Sequence, residues 1–461
     1  MAGFVYFAGT VYWVADVMRL HGGLPLPVGV AIAGLLAAYL AAYCGLFAIV
    51  LSIAVRRFGL NGVWFAPAIW VSTEWLRATL GSGFPWVLLG TSQATVLPII
   101  QASSVVGVYG VSGLLALVSA AAVVFTLGQT RSSRYATATV ALLVVLVAAG
   151  GTWRLSRNTL LAAGEPLRVG LVQGAVAQEQ KWDPRYSADI MTRYLGLSRQ
   201  VIDAGAELVF WPEAATPFYL NANAMLARPI RELAASSKTP FIVGSDEYTP
   251  ESGDEPEHFY NAAVLIGTDG RSHASYRKMH LVPFGEYVPL KSLLFFVDAL
   301  VEKVSDFSPG TEAVVFDVDG RRVSVAICYE SVYPSLSRQF VQNGSTLLAT
   351  ITNDAWFGWS SAAYQHFEQG AVRAVEEGRF VVRAANTGIS GAVDPYGRVI
   401  AATALFEPAA LTVDVRLLTY RTIYSRTGDV VVWLSLVVFV CLIGQAVAAR
   451  RLRGTLYAPV R

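Results

Sequence analysis

The sequence predicts an α/β protein in two parts, a membrane helical bundle of about six spans and an extracytoplasmic α/β domain. Three observations lead there. Only 15% of the 461 residues are charged and 54% are hydrophobic, against roughly 25% charged in a typical soluble chain. The charge is unevenly spread: residues 1–152 hold eight charged side chains, and the 309 that follow hold 60. From Leu167 the long apolar stretches give way to short β-branched runs separated by helical segments and Gly, Pro and Asp turns. Neither a wholly soluble protein nor a bare membrane bundle fits. A net charge of +2 gives no reason to invoke nucleic acid. The three cysteines, Cys44, Cys328 and Cys441, make no disulfide framework and no Cys/His set has zinc spacing, so no metal or cofactor is expected.

A spanning helix needs roughly 20 mainly apolar residues, because hydrocarbon offers the backbone no partners. Residues 28–55, 62–80, 104–128, 136–152 and 429–449 meet that test, and 4–18 is a shorter sixth candidate. The last lacks the basic start and small-residue exit of a cleaved signal peptide. Arg56–Arg57 and Arg131–Arg134 lie in short loops two spans apart, and Arg450, Arg451 and Arg453 open a basic tail over 450–461. The excess of positive charge on cytoplasmic loops puts all three clusters inside. The fifth span then exits outward, leaving a linker over 153–166 and a domain over 167–420 outside. Arg154 and Arg157 stand on the outer flank against the rule, which a long translocated domain overrides. Glu74 and Arg77, at i, i+3 in the third span, are expected to neutralise one another, with a lipid-headgroup contact as the other option. Phe84, Pro85 and Trp86 suit an interfacial aromatic anchor.

In the outer part, strands are expected at Leu167–Gln173, Glu207–Trp211, Pro240–Ser245, Asn261–Gly267, Arg322–Cys328, Thr346–Thr352, Phe380–Ala384 and Leu411–Val415. Helices fit Tyr186–Ala204, Ala224–Ser236, Pro334–Asn343 and Ala362–Glu377. The alternation means a substantial sheet packed by helices, with no internal repeat visible.

Three polar groups sit at the ends of apolar strands. Glu213 follows Glu207-Leu-Val-Phe-Trp-Pro212, where poor hydration should raise its pKa toward that of a useful general base. Lys278 lies in Tyr276-Arg-Lys-Met-His280. Cys328 closes Val323-Ser-Val-Ala-Ile-Cys328 before a helix; facing a helix N-terminus and a lysine, its thiol should have a lowered pKa and be nucleophilic. Taken singly, each also fits a plain structural role: a buried cysteine as a small hydrophobe, Glu213 as a turn residue, Lys278 as one basic residue among several. Cys328 is the only cysteine of the outer domain and has no disulfide partner there.

Pro212-Glu213, Arg277-Lys278 and Cys328-Tyr329-Glu330, in that order, resemble the Glu–Lys–Cys triad of the nitrilase (carbon–nitrogen hydrolase) superfamily. The longer strings Gln180-Lys-Trp-Asp-Pro184, Trp211-Pro-Glu213, His280-Leu-Val-Pro-Phe-Gly-Glu-Tyr-Val-Pro289, Ala326-Ile-Cys-Tyr-Glu330 and Thr352-Asn-Asp-Ala-Trp-Phe-Gly358 resemble the apolipoprotein N-acyltransferase family. The resemblance covers almost the whole chain. It implies a nitrilase-like αββα sandwich outside a bacterial inner membrane, seated on the spans. That family usually has eight spans, whereas this chain shows six and starts inside what resembles the third.

The resemblance also implies a chemistry. Cys328 would attack an acyl ester of a phospholipid, and the α-amino group of a diacylglyceryl-modified apolipoprotein would then take the acyl chain from the thioester. Glu213 would be the base, and Lys278 with the Tyr329 N–H would hold the oxyanion. Glu286 matches a second carboxylate that orients the lysine. Trp182, Asn261, Tyr329 and Glu330 match positions that support substrate or triad, with Trp182 and Glu330 expected to position the amine. Asn353, Asp354 and Trp356 would shape the site. The enzyme would be a monomer. Apolar loops such as Leu290–Val301 suit either the bilayer surface, to admit acyl chains, or ordinary packing.

Three alternatives stand beside this. A membrane-tethered amidase would share the triad and use water as acceptor. A Cys–His peptidase would pair Cys328 with His280 or His366. A transporter with a sensor domain is disfavoured by the near absence of charged or broken-helix features in the spans.

Overall fold

The computed structural model describes residues 1–81, 83–251, 256–283, 285–287 and 307–456, with side chains up to residue 448. Leu290–Val301 and the side chains of the basic tail lie outside the described residues. The chain divides into two compact units, one formed by Met1–Tyr12, Ile32–Arg157 and Arg426–Arg461, the other by Trp13–Ala31 and Asn158–Ser425.

The helices in chain order begin with α1 (Ala2–Thr10), α2 (Trp13–Leu20), α3 (Leu26–Phe58), α4 (Ala66–Thr79), α5 (Leu97–Ile100), α6 (Ser103–Leu127) and α7 (Arg131–Arg157). Among the described residues four helical stretches are long and apolar enough to cross a membrane: Leu26–Thr79, Ser103–Leu127, Arg131–Leu161 and Val430–Ala448. The first contains α3 and α4, joined by a 3-10 turn over Gly59–Phe65. Residues 4–18, expected as one span, are instead two short helices. The chain breaks between Thr10 and Trp13, and Asp16 and Arg19 make α2 amphipathic rather than lipid-compatible. Trp13 of α2 packs edge-on against Phe357 at 5.0 Å and its Nε1 donates to Gln365, so α2 belongs with the α/β unit. The expected linker over 153–166 is helical to Arg157.

In the first unit, Val50 and Ala54 of α3 and Ile69 of α4 share one apolar cluster with Phe439 and Leu442. Glu74 and Arg77 are both buried, 3.9 Å apart. Arg77 donates to the carbonyls of Phe84 (2.9 Å) and Trp86 (2.8 Å), and the Leu89 N–H donates to Glu74 (2.6 Å). The pair therefore holds the 84–89 loop. Trp86, expected at the interface, is 1% exposed.

The second unit starts with β1 (Glu165–Gln173), then α8 (Ser187–Asp203), β2 (Leu208–Phe210), α9 (Ala224–Ser237), β3 (Phe241–Thr249), β4 (His258–Ile266) and β5 (Ser272–Arg277). It continues with β6 (Val315–Val318), β7 (Arg321–Ile327), α10 (Pro334–Gln342), β8 (Leu347–Thr352), α11 (Ser361–Glu377), β9 (Val381–Ala385), β10 (Gly391–Val393), β11 (Val399–Ala402) and β12 (Ala409–Leu417). Short α12 (Ile423–Thr427) and apolar α13 (Val430–Leu456) follow. The eight expected strands and four expected helices all occur, within a few residues of the expected ends.

Two six-stranded sheets form, ordered β12-β1-β2-β3-β4-β5 and β11-β10-β9-β8-β7-β6. Each has three parallel strands joined by helices, two antiparallel strands after them and one antiparallel strand on the other edge. The halves thus repeat one topology that the sequence does not display. The sheets face each other, with α8 and α9 on the first and α10 and α11 on the second. Val172, Val209, Trp211 and Val243 pack under Ile190, Tyr194 and Ile230 of the helices. Tyr194 stacks on Trp211 at 4.9 Å, and the Trp211 Nε1–H donates to Ser198 at 2.8 Å, so the buried indole is satisfied. In open α/β sheets the carboxyl ends of parallel strands form the natural crevice. Here β2, β7, β8 and β9 all end at one such place.

Candidate active site

Glu213, Lys278 and Cys328 come from three strand ends. Glu213 stands three residues beyond β2, in a turn packed against Gly244 of β3; a Cβ there would lie 2.7 Å from the Glu213 Cα, so only glycine lets the turn approach. Lys278 directly follows β5, and its N–H donates to the Asn261 carbonyl at 2.8 Å. Cys328 directly follows β7 with φ +53 and opens a 3-10 turn over Cys328–Val332. A left-handed non-glycine residue costs on the order of 1–3 kcal/mol, and such strain collects where a side chain must be aimed.

The carboxylates and the ammonium form one buried cluster. Lys278 Nζ donates to Glu213 Oε1 (3.2 Å) and Glu286 Oε1 (2.8 Å). The Asn261 amide, from the middle of β4, donates to the same two oxygens at 2.7 and 2.9 Å. The Asn353 N–H, just past β8, donates to Glu213 Oε2 at 2.8 Å, and the Val282 N–H to Glu286 Oε2 at 2.8 Å. Lys278 is 1% exposed and Glu213 6%.

These contacts reverse two expectations about charge. Burial pushes Glu213 upward, but Lys278, Lys181, Asn261 and the Asn353 N–H together hold it below the ordinary carboxylate range. Burial and the Glu213 charge push the Cys328 thiol well above its usual value, against the pull of Lys278. Burial alone would lower Lys278, yet Glu286 and Glu213 keep it firmly protonated. The resting group is a carboxylate, an ammonium and a neutral thiol, not a thiolate.

Glu330 is wholly buried. Its Oε1 accepts from the Tyr276 hydroxyl (2.8 Å) and from the N–H groups of Met279 (2.7 Å) and His280 (3.1 Å); its Oε2 accepts from the Ile327 N–H (2.8 Å). It ties the segment bearing Lys278 to the turn bearing Cys328. Burial raises its carboxyl to about 7, opposed by the Ile327 N–H and Lys278. Tyr329 is buried in the same turn, edge-on to Tyr333 at 5.3 Å. Trp182 is 43% exposed and lies 5.9 Å from the Tyr219 ring, leaving a face for a ligand.

His366 has both ring nitrogens engaged. Nε2 donates to the Cys328 carbonyl at 3.0 Å, while Nδ1 meets Asp354 (3.0 Å) and Arg383 (2.9 Å). It fixes the backbone of the cysteine turn, which disfavours a Cys–His pair. His280 touches this site through its backbone N–H on Glu330.

Residues 1–121 match the N-terminal domain of apolipoprotein N-acyltransferase, and 168–424 match the carbon-nitrogen hydrolase family. The curated apolipoprotein N-acyltransferase of Geobacter metallireducens is 39% identical over 454 residues, covering 97% of this chain and 85% of that one. Those of Shewanella oneidensis and Methylococcus capsulatus are each 35% identical, covering 93% and 97% of this chain and 82% and 86% of theirs. The chain belongs to the apolipoprotein N-acyltransferase family. It is accordingly a membrane-embedded acyltransferase with a nitrilase-like sandwich, and the carbon-nitrogen hydrolase match spans every strand-end residue described above. In this family member, the sequence reading missed two buried groups beside Glu213. Lys181 donates from Nζ to the Glu213 carbonyl at 3.0 Å, and Asp246 of β3 pairs in register with Asn261. Lys181 sits in the string Gln180-Lys-Trp-Asp-Pro184, in which the resemblance points to Trp182 alone. Asp246 is buried in β3, just past the apolar run that marked the strand.

Proposed function

We propose that this chain transfers a fatty acyl group from a phospholipid, through a Cys328 thioester, to the α-amino group of a diacylglyceryl-modified apolipoprotein. What carries the proposal is that the buried Glu213–Lys278–Cys328 group occurs in a chain whose likeness to apolipoprotein N-acyltransferases runs through the membrane helices as well as the sandwich. An amidase needs no such helices.

The charge states dictate the proton path. As the sulfur attacks the ester carbonyl, its proton passes to the Glu213 carboxylate. The tetrahedral oxygen is held by the Lys278 ammonium and the Tyr329 N–H. Collapse breaks the ester C–O bond, and Glu213 returns the proton to the leaving lysophospholipid alcohol. The amine then attacks the thioester, Glu213 takes its proton, and collapse to the amide breaks the C–S bond and re-forms the thiol. Glu286 and Asn261 hold Lys278 and Glu213 in register through both halves, and Trp182 offers a face to the amine acceptor. Incubation with phospholipid should add one fatty acyl mass to Cys328, removed by hydroxylamine and absent in Cys328→Ser. A wild-type adduct on any other residue, or none under turnover conditions, refutes the scheme.

The sandwich is proposed to face outward from the bacterial inner membrane, on the strength of Arg56, Arg57, Arg131 and Arg134 in the loops between spans. An impermeant thiol reagent applied from outside should label Ser272→Cys, on an exposed end of β5, and not Arg131→Cys. The reverse pattern would overturn the orientation.

A further inference from the structure

Lys181 is 4% exposed, although it lies in a loop and no step above uses it. An ammonium withdrawn from water costs several kcal/mol unless it is compensated. The segment that carries it is built rather than loose. The Val176 N–H donates to Asn386 Oδ1 at 2.9 Å, and the Asn386 amide donates to Asn353 Oδ1 at 3.0 Å. The Asn353 amide in turn donates to Gln178 Oε1 at 2.7 Å, three residues before Lys181. Its Nζ ends 3.0 Å from the Glu213 carbonyl, and Asp246 is buried too, with Oδ1 lacking a hydrogen-bond partner among the described residues.

Counting charges gives the cluster a reason for a second cation. Lys278 is shared by two carboxylates, Glu213 and Glu286, and so cannot neutralise both. Resting on the acyl-transfer reading above, we infer that Lys181 is a positioning residue of that reaction, its buried ammonium pinning the Glu213 peptide and keeping the Glu213 carboxylate ionised where water is excluded. The groups that face Glu213 are Lys278 after β5, Lys181 before α8, Asn261 of β4, Asp246 of β3, the Asn353 N–H after β8, Glu286 and the Cys328 thiol. Only two of them are cations. After burial, Lys278 and then Lys181 are the strongest influences on Glu213, both downward. Burial raises Asp246 to about 7, opposed chiefly by Lys181.

Because the working form of Glu213 is the carboxylate, acyl-enzyme formation is lost as pH falls through its folded pKa. Removing a cation raises that pKa and moves the acid limb upward. The test is a pH profile of single-turnover acylation of the purified full chain, with a dioleoyl phospholipid in detergent micelles. Lys181→Gln keeps a donor toward the Glu213 carbonyl and removes the charge. Its acid limb is expected to move up by about one pH unit, the lower end for loss of a nearby opposite charge. Lys181→Arg should return the limb toward wild type. Lys181→Met should show the same shift as Lys181→Gln with a lower plateau. An unmoved limb in Lys181→Gln, whatever its plateau, overturns the role of Lys181 while leaving acyl transfer standing. A wild-type chain that forms no adduct at any pH overturns the acyl-transfer reading itself, and this inference with it.

Discussion

Glu213→Gln should slow both halves of the reaction, thioester formation and its consumption by amine, by roughly 10²–10⁴-fold each, the usual loss for a general base. The proton path requires one carboxylate to serve the thiol and then the amine, because Cys328 rests as a neutral thiol and Lys278 as an ammonium with no lone pair to take a proton. The substitution has a second cost. Glu213 Oε1 faces the Asn261 amide and the Lys278 ammonium, and Oε2 faces the Asn353 N–H. Whichever way a glutamine amide turns, its NH2 meets donors only. Leaving such a buried donor unpaired costs about 1–3 kcal/mol, so the melting temperature should fall as well. Quantifying acyl-enzyme and N-acylated lipopeptide separately decides the matter. A thioester that accumulates at the wild-type rate would remove Glu213 from the first half.

Lys278→Met should lose roughly 10²–10³-fold in each half for want of the oxyanion cation, and should also change how stability depends on pH. Two carboxylates, Glu213 and Glu286, now share its ammonium; without it they face each other in a dry site. Removing one member of a buried ion pair costs about 3–5 kcal/mol. In the wild type the folded pKa of Glu213 lies below its unfolded value, so it contributes stability that is present above the unfolded value and lost as pH falls through the folded one. In Lys278→Met burial and the Glu286 charge should carry it above the unfolded value, and the sign reverses: stability is lost as pH rises. Melting curves from pH 4 to 8 should therefore converge with wild type at the acid end and diverge at the neutral end. Parallel curves would mean that Lys278 is not the counter-ion of this cluster.

Much of this was legible from the chain. Apolar runs ending in Trp211-Pro212-Glu213 and in Ile327-Cys328 mark strand ends, and strand ends mark the crevice. The charge states were not legible, because burial is a local property and can be read from neighbours in sequence, whereas the cations that hold Glu213 down stand at Lys181 and Lys278, on other segments. Glu330 looked like a substrate-facing carboxylate for the same reason; only the fold brings Tyr276, Met279, His280 and Ile327 onto it. The stretch 4–18 failed differently. Its apolar count is that of a short span, and the polar pair Asp16 and Arg19 that makes α2 amphipathic is diluted by the window. Strands β5, β6, β10 and β11 escaped because they are short or polar, Ser272–Arg277 among them.

The first and last strands of the sandwich are antiparallel neighbours, with Glu165 opposite Leu417. Chain entry and chain exit therefore lie about 5 Å apart, the ordinary spacing of paired strands. A domain with its two ends side by side can be inserted at a single loop of a host without asking that loop to open. Apart from α2, which packs on the sandwich through Trp13, the helices before it and the helix after it can then change in number or length over generations, and the sandwich need not register the change. Conversely, the pairing of β1 with β12 cannot form until the ribosome has delivered the segment near Leu417, so the sandwich closes late, after nearly the whole chain has been made.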